Sequence, residues 1–354
     1  MKSADRAPMS LGIIGLGMAS LPHAKSIVAL QEAGRVLCKA AWSPSRERRQ
    51  RFAERWNIPV VDDVATLIND PDIQAVILIT PPDARADYVH SLAKAGKHIL
   101  MEKPVERTTD AATDLVEVAE AAKVELGIVF QQRFRDASLR AAEVVAGGGL
   151  GSLTSVRVEV PWWREQSYYD EPGRGTLARD GGGVLISQAI HSLDLMLALT
   201  GPVAGPVAEV TAMTTTTAHH AMECEDFVGA GLRFESGATG SLVATTAEFP
   251  GGTERIVIAG TDGTACLAGA ELHIHYRNGR TESLGSDTGS GGGADPMNFP
   301  HHWHQRLIED FLDAVEQGRK PVVTGRGSLG VHQLIDALLD SSSRKCHVTL
   351  SANT

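Results

Sequence analysis

A short apolar run, Ser10 to Ile14, ends in Gly15-Leu16-Gly17-Met18-Ala19-Ser20, and Pro22 to Ala33 then reads as helical. Strand, glycine turn and helix in that order restrict the fold severely. Two glycines allow a tight turn and let the backbone approach a diphosphate, which rests on the helix N-terminus. Ser20 stands where such turns usually carry a third glycine, a place that needs only a small side chain for helix-to-strand packing.

The alternation continues. Val36 to Trp42 is a second apolar run, Ser45 to Arg55 a charged helix, and Ala75 to Ile79 a continuous apolar run suited to a strand buried on both faces. Asp83 to Ala95 reads as a helix stopped by Gly96, His98 to Met101 as a strand, Thr109 to Lys123 as a helix and Glu125 to Phe130 as a last strand. Repeated βα units predict a doubly wound parallel sheet, an α/β Rossmann domain over residues 1–130. From about Gly151 strands follow one another without helices: Ser152 to Val160, Glu209 to Thr217, Phe227 to Phe234, Gly240 to Ala247, Arg255 to Ile258 and Leu272 to Arg277. Hairpin turns are predicted at Thr261-Asp262-Gly263 and Asn278-Gly279. Residues 131–354 are therefore expected to form a second, α+β domain with an antiparallel sheet, a mobile Gly/Ser/Asp-rich loop at 285–295, and helices over His304 to Gln317 and Ser328 to Ser341.

A length of 354 residues exceeds what one core usually serves, in keeping with two domains. The formal charge of -10 argues against nucleic acid or an anionic membrane as partner, because both need clustered Lys and Arg, so a small molecule is the expected ligand. No segment approaches membrane-spanning length. Cys38, Cys224, Cys266 and Cys346 are scattered without a CxxC pair, which suggests neither a disulfide framework nor zinc, and a reducing cytoplasm is expected. No carboxylate or cysteine near His301, His302 and His304 completes a defined ligand spacing, so no metal is expected there.

The chemistry concentrates in a few places. Glu102-Lys103-Pro104 follows a strand on the side of the glycine turn, and an amine beside a cationic nicotinamide has its pKa lowered toward accepting a hydroxyl proton; Lys103 is the candidate general base. The plainer alternative is a strand-end lysine in water. Gly181-Gly182-Gly183 leads into Val184 to Thr200, so apolar that it must be buried nearly all round, and Ser187, Gln188, His191 and Asp194 form one polar stripe on it. That stripe reads as a substrate wall or as a structural hydrogen-bond network. Trp162, Trp163, Arg164, Tyr168, Tyr169 and Asp170, with Arg174 soon after, make the richest aromatic and charged cluster in a chain only 5% aromatic. Flat rings suit pyranoses and Arg suits a carboxylate or phosphate; a Trp/Tyr subunit interface is the alternative. Arg133 is a further pocket candidate, with a surface ion pair as the alternative, and His304 borders the substrate. At the end of the second strand stands Ser43 rather than an acid, followed by Ser45 and Arg46, which tilts the cofactor expectation toward NADP while leaving NAD open.

These features, with Ala95-Gly96-Lys97-His98 leading into Glu102-Lys103-Pro104 and the late segment His304 to Gly318, resemble the Gfo/Idh/MocA oxidoreductases, among them glucose-fructose oxidoreductase and inositol dehydrogenase. The likeness covers essentially the whole chain. It implies a Rossmann domain plus an open antiparallel sheet that lines the substrate pocket and forms the interface of a dimer or tetramer. It implies hydride transfer between nicotinamide and a ring hydroxyl of a sugar, sugar derivative or inositol, the 3-hydroxyl of a pyranoside or nucleotide sugar included. Lys103 and His191 then act on that hydroxyl, with Gly15, Gly17, Met18, Ala19, Thr80, Pro81, Pro82, Glu102 and Lys103 on the cofactor side. Two departures stand out: Ser187 where the family often has Asp, and Arg85 where it often has His. Rival expectations are a glycoside-cleaving or epimerising enzyme working by transient 3-oxidation, and a non-catalytic dinucleotide-sensing binding protein.

Overall fold

A computed structural model describes residues 7–286 and 299–350, so most of the 285–295 stretch lies outside the described residues. In chain order the elements are β1 (Met9–Ile14), α1 (Ser20–Glu32), β2 (Val36–Trp42), α2 (Arg46–Trp56), α3 (Val64–Asn69), β3 (Ala75–Leu78), α4 (Ala86–Lys94), β4 (His98–Glu102), α5 (Thr109–Ala121) and β5 (Leu126–Val129). Then come α6 (Asp136–Ala146), β6 (Leu153–Pro161), α7 (Gln166–Tyr169), a π-helical turn (Leu185–Ala189), α8 (Ile190–Ala204), β7 (Val207–Thr215), β8 (Phe227–Phe234) and β9 (Thr239–Thr245). The chain ends with β10 (Arg255–Gly260), β11 (Gly263–Ala268), β12 (Glu271–Tyr276), β13 (Thr281–Leu284), α9 (His302–Gln317), α10 (Gly325–Arg344) and β14 (Val348–Thr349). Among the described residues no helix is long and apolar enough to cross a membrane.

The chain divides into two compact units, the first made of residues 1–106, 110–129 and 301–328. Its sheet has the order β2-β1-β3-β4-β5, and every pairing is parallel. An isolated parallel bridge from Ala41 to Val60 marks a vestigial strand outside β2, which completes a six-strand Rossmann order. β3 and β5 are buried along their whole length, as their unbroken apolar runs require. The strand order reverses between β1 and β3, so the crevice for a ligand opens beyond their C-terminal ends.

The expected second domain, residues 131–354, is interrupted here, because 301–328 belong with the parallel sheet. The reason is packing. α9 buries Trp303, Leu307, Ile308 and Phe311, and Phe311 lies where a Cβ on Gly127 of β5 would come within 2.8 Å of it. Beyond α9, the Ile128 N–H donates to Val323 O at 3.1 Å.

The second unit carries a nine-stranded sheet in the order β13-β12-β11-β10-β6-β9-β8-β7-β14. β6 and β9 run parallel, against the wholly antiparallel expectation; the long helical connection after β6 lets β7, β8 and β9 return by hairpins to β6 from the other side. Both predicted hairpins are present, β10–β11 and β12–β13. The apolar α8 covers one sheet face over β6 and β10, where Val156, Val158, Ile256 and Ile258 are buried.

Candidate active site

In the first unit, the glycine turn closes directly on the strand-order reversal. Gly15 has φ +103°, and a Cβ there would lie 2.7 Å from the carbonyl carbon and oxygen of Ile79, just past β3. Only glycine lets these two strand ends approach so closely. A Cβ on Gly17 would meet nothing nearer than Arg48 Nη1 at 3.9 Å, so that side of the turn is open. The α1 N-terminus has Ala19 as its cap with no side-chain hydrogen bond and no acid in its first turn, while Ser20 Oγ donates to Gly17 O at 2.7 Å. Met18 is half exposed. A helix start without a side-chain cap or a first-turn acid, beside a glycine cradle, fits the diphosphate of a dinucleotide.

At the end of β2, Ser43 is buried and its carbonyl accepts from Arg49 Nη1 at 2.7 Å. Arg49 Nη2 also donates to Asp62 Oδ1 at 2.9 Å. Ser45 Oγ caps α2 by accepting from the Arg48 N–H at 3.2 Å. Arg46 and Arg48 are exposed in the first turn of α2.

Lys103 follows β4 directly, and side chains hold its backbone. Its N–H donates to Glu102 Oε2 at 3.2 Å, and its carbonyl accepts from Arg85 Nη2 at 3.2 Å. Arg85 is buried; its Nε donates to Thr80 O at 3.0 Å and its Nη1 donates to Pro104 O. Glu102 is buried too, and its Oε1 is 2.7 Å from Nε2 of the fully buried His23. Burial pushes the Glu102 carboxyl up, but the His23 hydrogen bond and the nearby His23, His304 and Lys103 outweigh it and leave the pKa below the ordinary glutamate value. His304 packs edge-on against His23, ring centroids 5.0 Å apart. Burial foremost, with His23 adding to it, pushes the His304 imidazole down to about 3, so it is neutral at physiological pH.

In the second unit, the triple glycine gives a close approach. A Cβ on Gly183 would sit 1.8 Å from Glu225 O. The buried Glu225 carboxylate accepts from the N–H groups of Gly183 at 3.2 Å and Leu185 at 3.1 Å, capping the helical segment that starts there. That segment begins as a π-turn, Leu185–Ala189, where regular α-helix was expected from Val184. The wider turn carries Ser187 and Gln188, and π-turns recur at functional sites. Gln188 is buried, its Oε1 has no hydrogen-bond partner among the described residues, and its Nε2 lies 3.5 Å from Tyr168 Oη. His191 is buried edge-on to Phe130, centroids 5.9 Å apart. Asp194 faces Arg133 in a bidentate pair, Nε to Oδ2 at 2.7 Å.

Tyr168 is flanked by two guanidiniums, Arg164 at 5.6 Å and Arg174 at 4.3 Å from its ring centroid, and Arg174 Nε donates to Glu171 Oε2 at 3.1 Å. Trp163 meets His219 and Phe249 edge-on. Beneath this cluster the buried His220 bridges Asp226 Oδ2 at 2.7 Å and Arg164 O at 2.8 Å, and Tyr169 Oη pairs with Thr246 Oγ1 at 2.7 Å. The aromatic segment is thus tied to the sheet by buried polar contacts.

Residues 9–130 match the oxidoreductase family with an NAD-binding Rossmann fold, and residues 138–266 match the GFO/IDH/MocA C-terminal domain. The chain belongs to the Gfo/Idh/MocA family. It is an NAD(P)-dependent dehydrogenase. It is 24% identical to inositol 2-dehydrogenase of Rhizobium meliloti, covering 96% of this chain and 98% of that one. It is 27% identical to a D-xylose 1-dehydrogenase (NADP(+)) of Haloferax volcanii, with 96% and 98% covered. The WlbA dehydrogenase of Bordetella pertussis, whose structure holds NADH and UDP-GlcNAcA, superposes with a TM-score of 0.81 at 26% identity over 98% of this chain and 100% of that one.

Within this Gfo/Idh/MocA chain the first unit brings together the glycine turn, Thr80, Glu102, Lys103 and His304, and the second brings together Gln188, Tyr168, Arg164 and Arg174. Arg133 and Asp194, both expected to face substrate, are instead bound to each other. Four residues escaped sequence reasoning: His23, His220, Glu225 and Asp226. The available signal for His23 was a histidine on an otherwise apolar helix face. His220 and Asp226 pair within the loop between β7 and β8, whereas Glu225 meets Gly183 and Leu185 only through the fold.

Proposed function

We propose that this chain transfers a hydride between C4 of nicotinamide and a secondary ring carbinol of a sugar-like molecule, with Lys103 as general base and His191 as its partner in proton transfer. The observation that carries this reading is the fixed start of the Lys103 side chain, held through its N–H and its carbonyl, in the same unit as the glycine cradle. Bound nicotinamide supplies the hydride acceptor; the chain's residues bind, orient and move the proton. The unpartnered, buried Gln188 Oε1 is suited to accept from a substrate hydroxyl, and the guanidiniums of Arg164 and Arg174, stacked over the Tyr168 ring, place positive charge close to it. Ser187 stands in place of the family Asp, so the proton work rests on Lys103 and His191. NADP is the preferred dinucleotide, since Ser43 rather than an acid follows β2 and the exposed Arg46 comes soon after. The relatives' named substrates direct the test toward inositols, pentoses and nucleotide sugars.

The experiment is a panel of myo-inositol, scyllo-inositol, D-xylose, D-glucose, methyl glucosides and a UDP-linked N-acetylhexosaminuronate with NAD+ and NADP+ separately, following nicotinamide absorbance. On the best substrate, Lys103→Met is expected to lower kcat by about 100-fold or more while NAD(P)H binding survives. Wild-type silence across the panel, or full turnover by Lys103→Met, overturns the proposal. A homo-oligomer is proposed through the open sheet face on which Met213, 69% exposed, and Val243 share one row across β7, β8 and β9; a monomer in light scattering overturns that.

A further inference from the structure

Arg85 is among the largest fully buried side chains of the protein, and burying a guanidinium is costly unless its charge and donors are answered. Its donors go to three backbone carbonyls: Thr80, on the turn after β3, and Lys103 and Pro104, on the turn after β4. Glu102, Glu106 and Asp83 supply the opposing charge from nearby, while the hydrogen bonds themselves go to the carbonyls. A structural plug would have been better served by an apolar residue. What the rigid fork of Arg adds, and neither a hydrocarbon nor the point charge of Lys can copy, is a fixed spacing among carbonyls on two strand ends.

We propose that Arg85 is a positioning residue for the reaction: by clamping the carbonyls of Lys103 and Pro104 to that of Thr80, it sets where the Lys103 amine is presented to the nicotinamide site. This rests on the reading of Lys103 as base. Glu102 completes the clamp from the other side by taking the Lys103 N–H. A base attached to an unclamped turn would still be present, but displaced, and a displacement of about 1 Å can cost on the order of 100-fold in rate.

The test uses the full-length enzyme and the best substrate of the panel above. NAD(P)H-binding sites are titrated by fluorescence, and kcat is expressed per titrated site. Arg85→Met is expected to lower kcat per site by about 10- to 100-fold with the dinucleotide Kd changed by less than about threefold. Arg85→Lys, which keeps the charge, is expected to fall on the same side, because an ammonium cannot span three carbonyls. A measurement free of substrate accompanies these: with lysines reductively 13C-methylated, the resonance missing in Lys103→Met is expected to shift on adding NADP+ in the wild type and to lose that response in Arg85→Met. Wild-type kcat per site in both variants overturns the proposal. So does loss of dinucleotide binding in both, which would assign Arg85 to the fold. An active Lys103→Met removes the base reading itself, whereas an inactive Lys103→Met beside an active Arg85→Met removes only the clamp.

Discussion

The Arg133 guanidinium grips the Asp194 carboxylate through two hydrogen bonds, Nε to Oδ2 at 2.7 Å and Nη2 to Oδ1 at 2.5 Å, and the Asp194 side chain is only 2% exposed. Burial works against both charges: at Arg133 the Asp194 carboxylate outweighs it and holds the guanidinium above its ordinary range, whereas at Asp194 burial outweighs Arg133 and holds the carboxyl above its ordinary value. The pair joins the short 3-10 turn Gln131–Phe134 to α8. Asp194→Asn leaves a buried charge unanswered and is expected to cost about 3–5 kcal/mol. Arg133→Met combined with Asp194→Leu is expected to recover most of that loss. Urea unfolding of the single and double variants checks this; equal destabilisation by both would show that the pair is not the stabilising contact.

His304 makes stability depend on pH in a defined window. Its folded pKa is pushed down to about 3 from 6.5, so below pH 6.5 the unfolded chain takes up a proton that the folded chain refuses. Its contribution is therefore fully present above pH 6.5 and is lost as pH falls toward 3, with a slope approaching about 1.4 kcal/mol per pH unit. His304→Gln is expected to flatten the stability profile between pH 6.5 and 5 relative to wild type, without added dinucleotide. Parallel profiles in urea unfolding would count against this account.

Gly15→Ala probes the strand-order reversal. The new Cβ would meet the Ile79 carbonyl group at 2.7 Å with φ held at +103°. Either β1 and β3 separate or the turn reshapes, so NAD(P)H affinity is expected to fall by about tenfold or more, with strain on the order of 1–3 kcal/mol. A fluorescence titration reads the first and thermal unfolding the second. Wild-type affinity in this variant would mean that the turn does not form the cradle.

The sequence made the parallel sheet legible chiefly through strands buried along their whole length, β3 and β5, which read as unbroken apolar runs, as in Ala75 to Leu78. The glycine turn was legible for a steric reason, since the approach of Gly15 to Ile79 admits no side chain. What escaped was long-range. His23 and Glu102 are 79 residues apart, and His304 lies far beyond both. The placement of residues 301–328 was missed because an amphipathic helix such as α9 states that it packs on something without stating on what. Arg133 and Asp194 were each read as facing substrate because a polar residue on an apolar element signals a polar partner, and only the fold shows that they partner each other.

The proposed preference for NADP rests on the residues that follow β2. An NAD-preferring site holds the ribose 2′-hydroxyl with an acid, and here the residue is Ser43, buried. Arg49 is occupied by the Ser43 carbonyl and Asp62, which leaves Arg46 and Arg48 as the exposed cations of the first turn of α2. Charge-assisted hydrogen bonds to a 2′-phosphate are worth about 1.5–3 kcal/mol, or roughly 10- to 150-fold. Arg46→Glu is therefore expected to lower kcat/KM for NADP+ by about that factor and leave NAD+ within about threefold. The measurement is the ratio of kcat/KM for the two dinucleotides at fixed ionic strength. A ratio unchanged by Arg46→Glu would move 2′-phosphate recognition to Arg48, and a wild-type ratio already favouring NAD+ would overturn the preference for NADP.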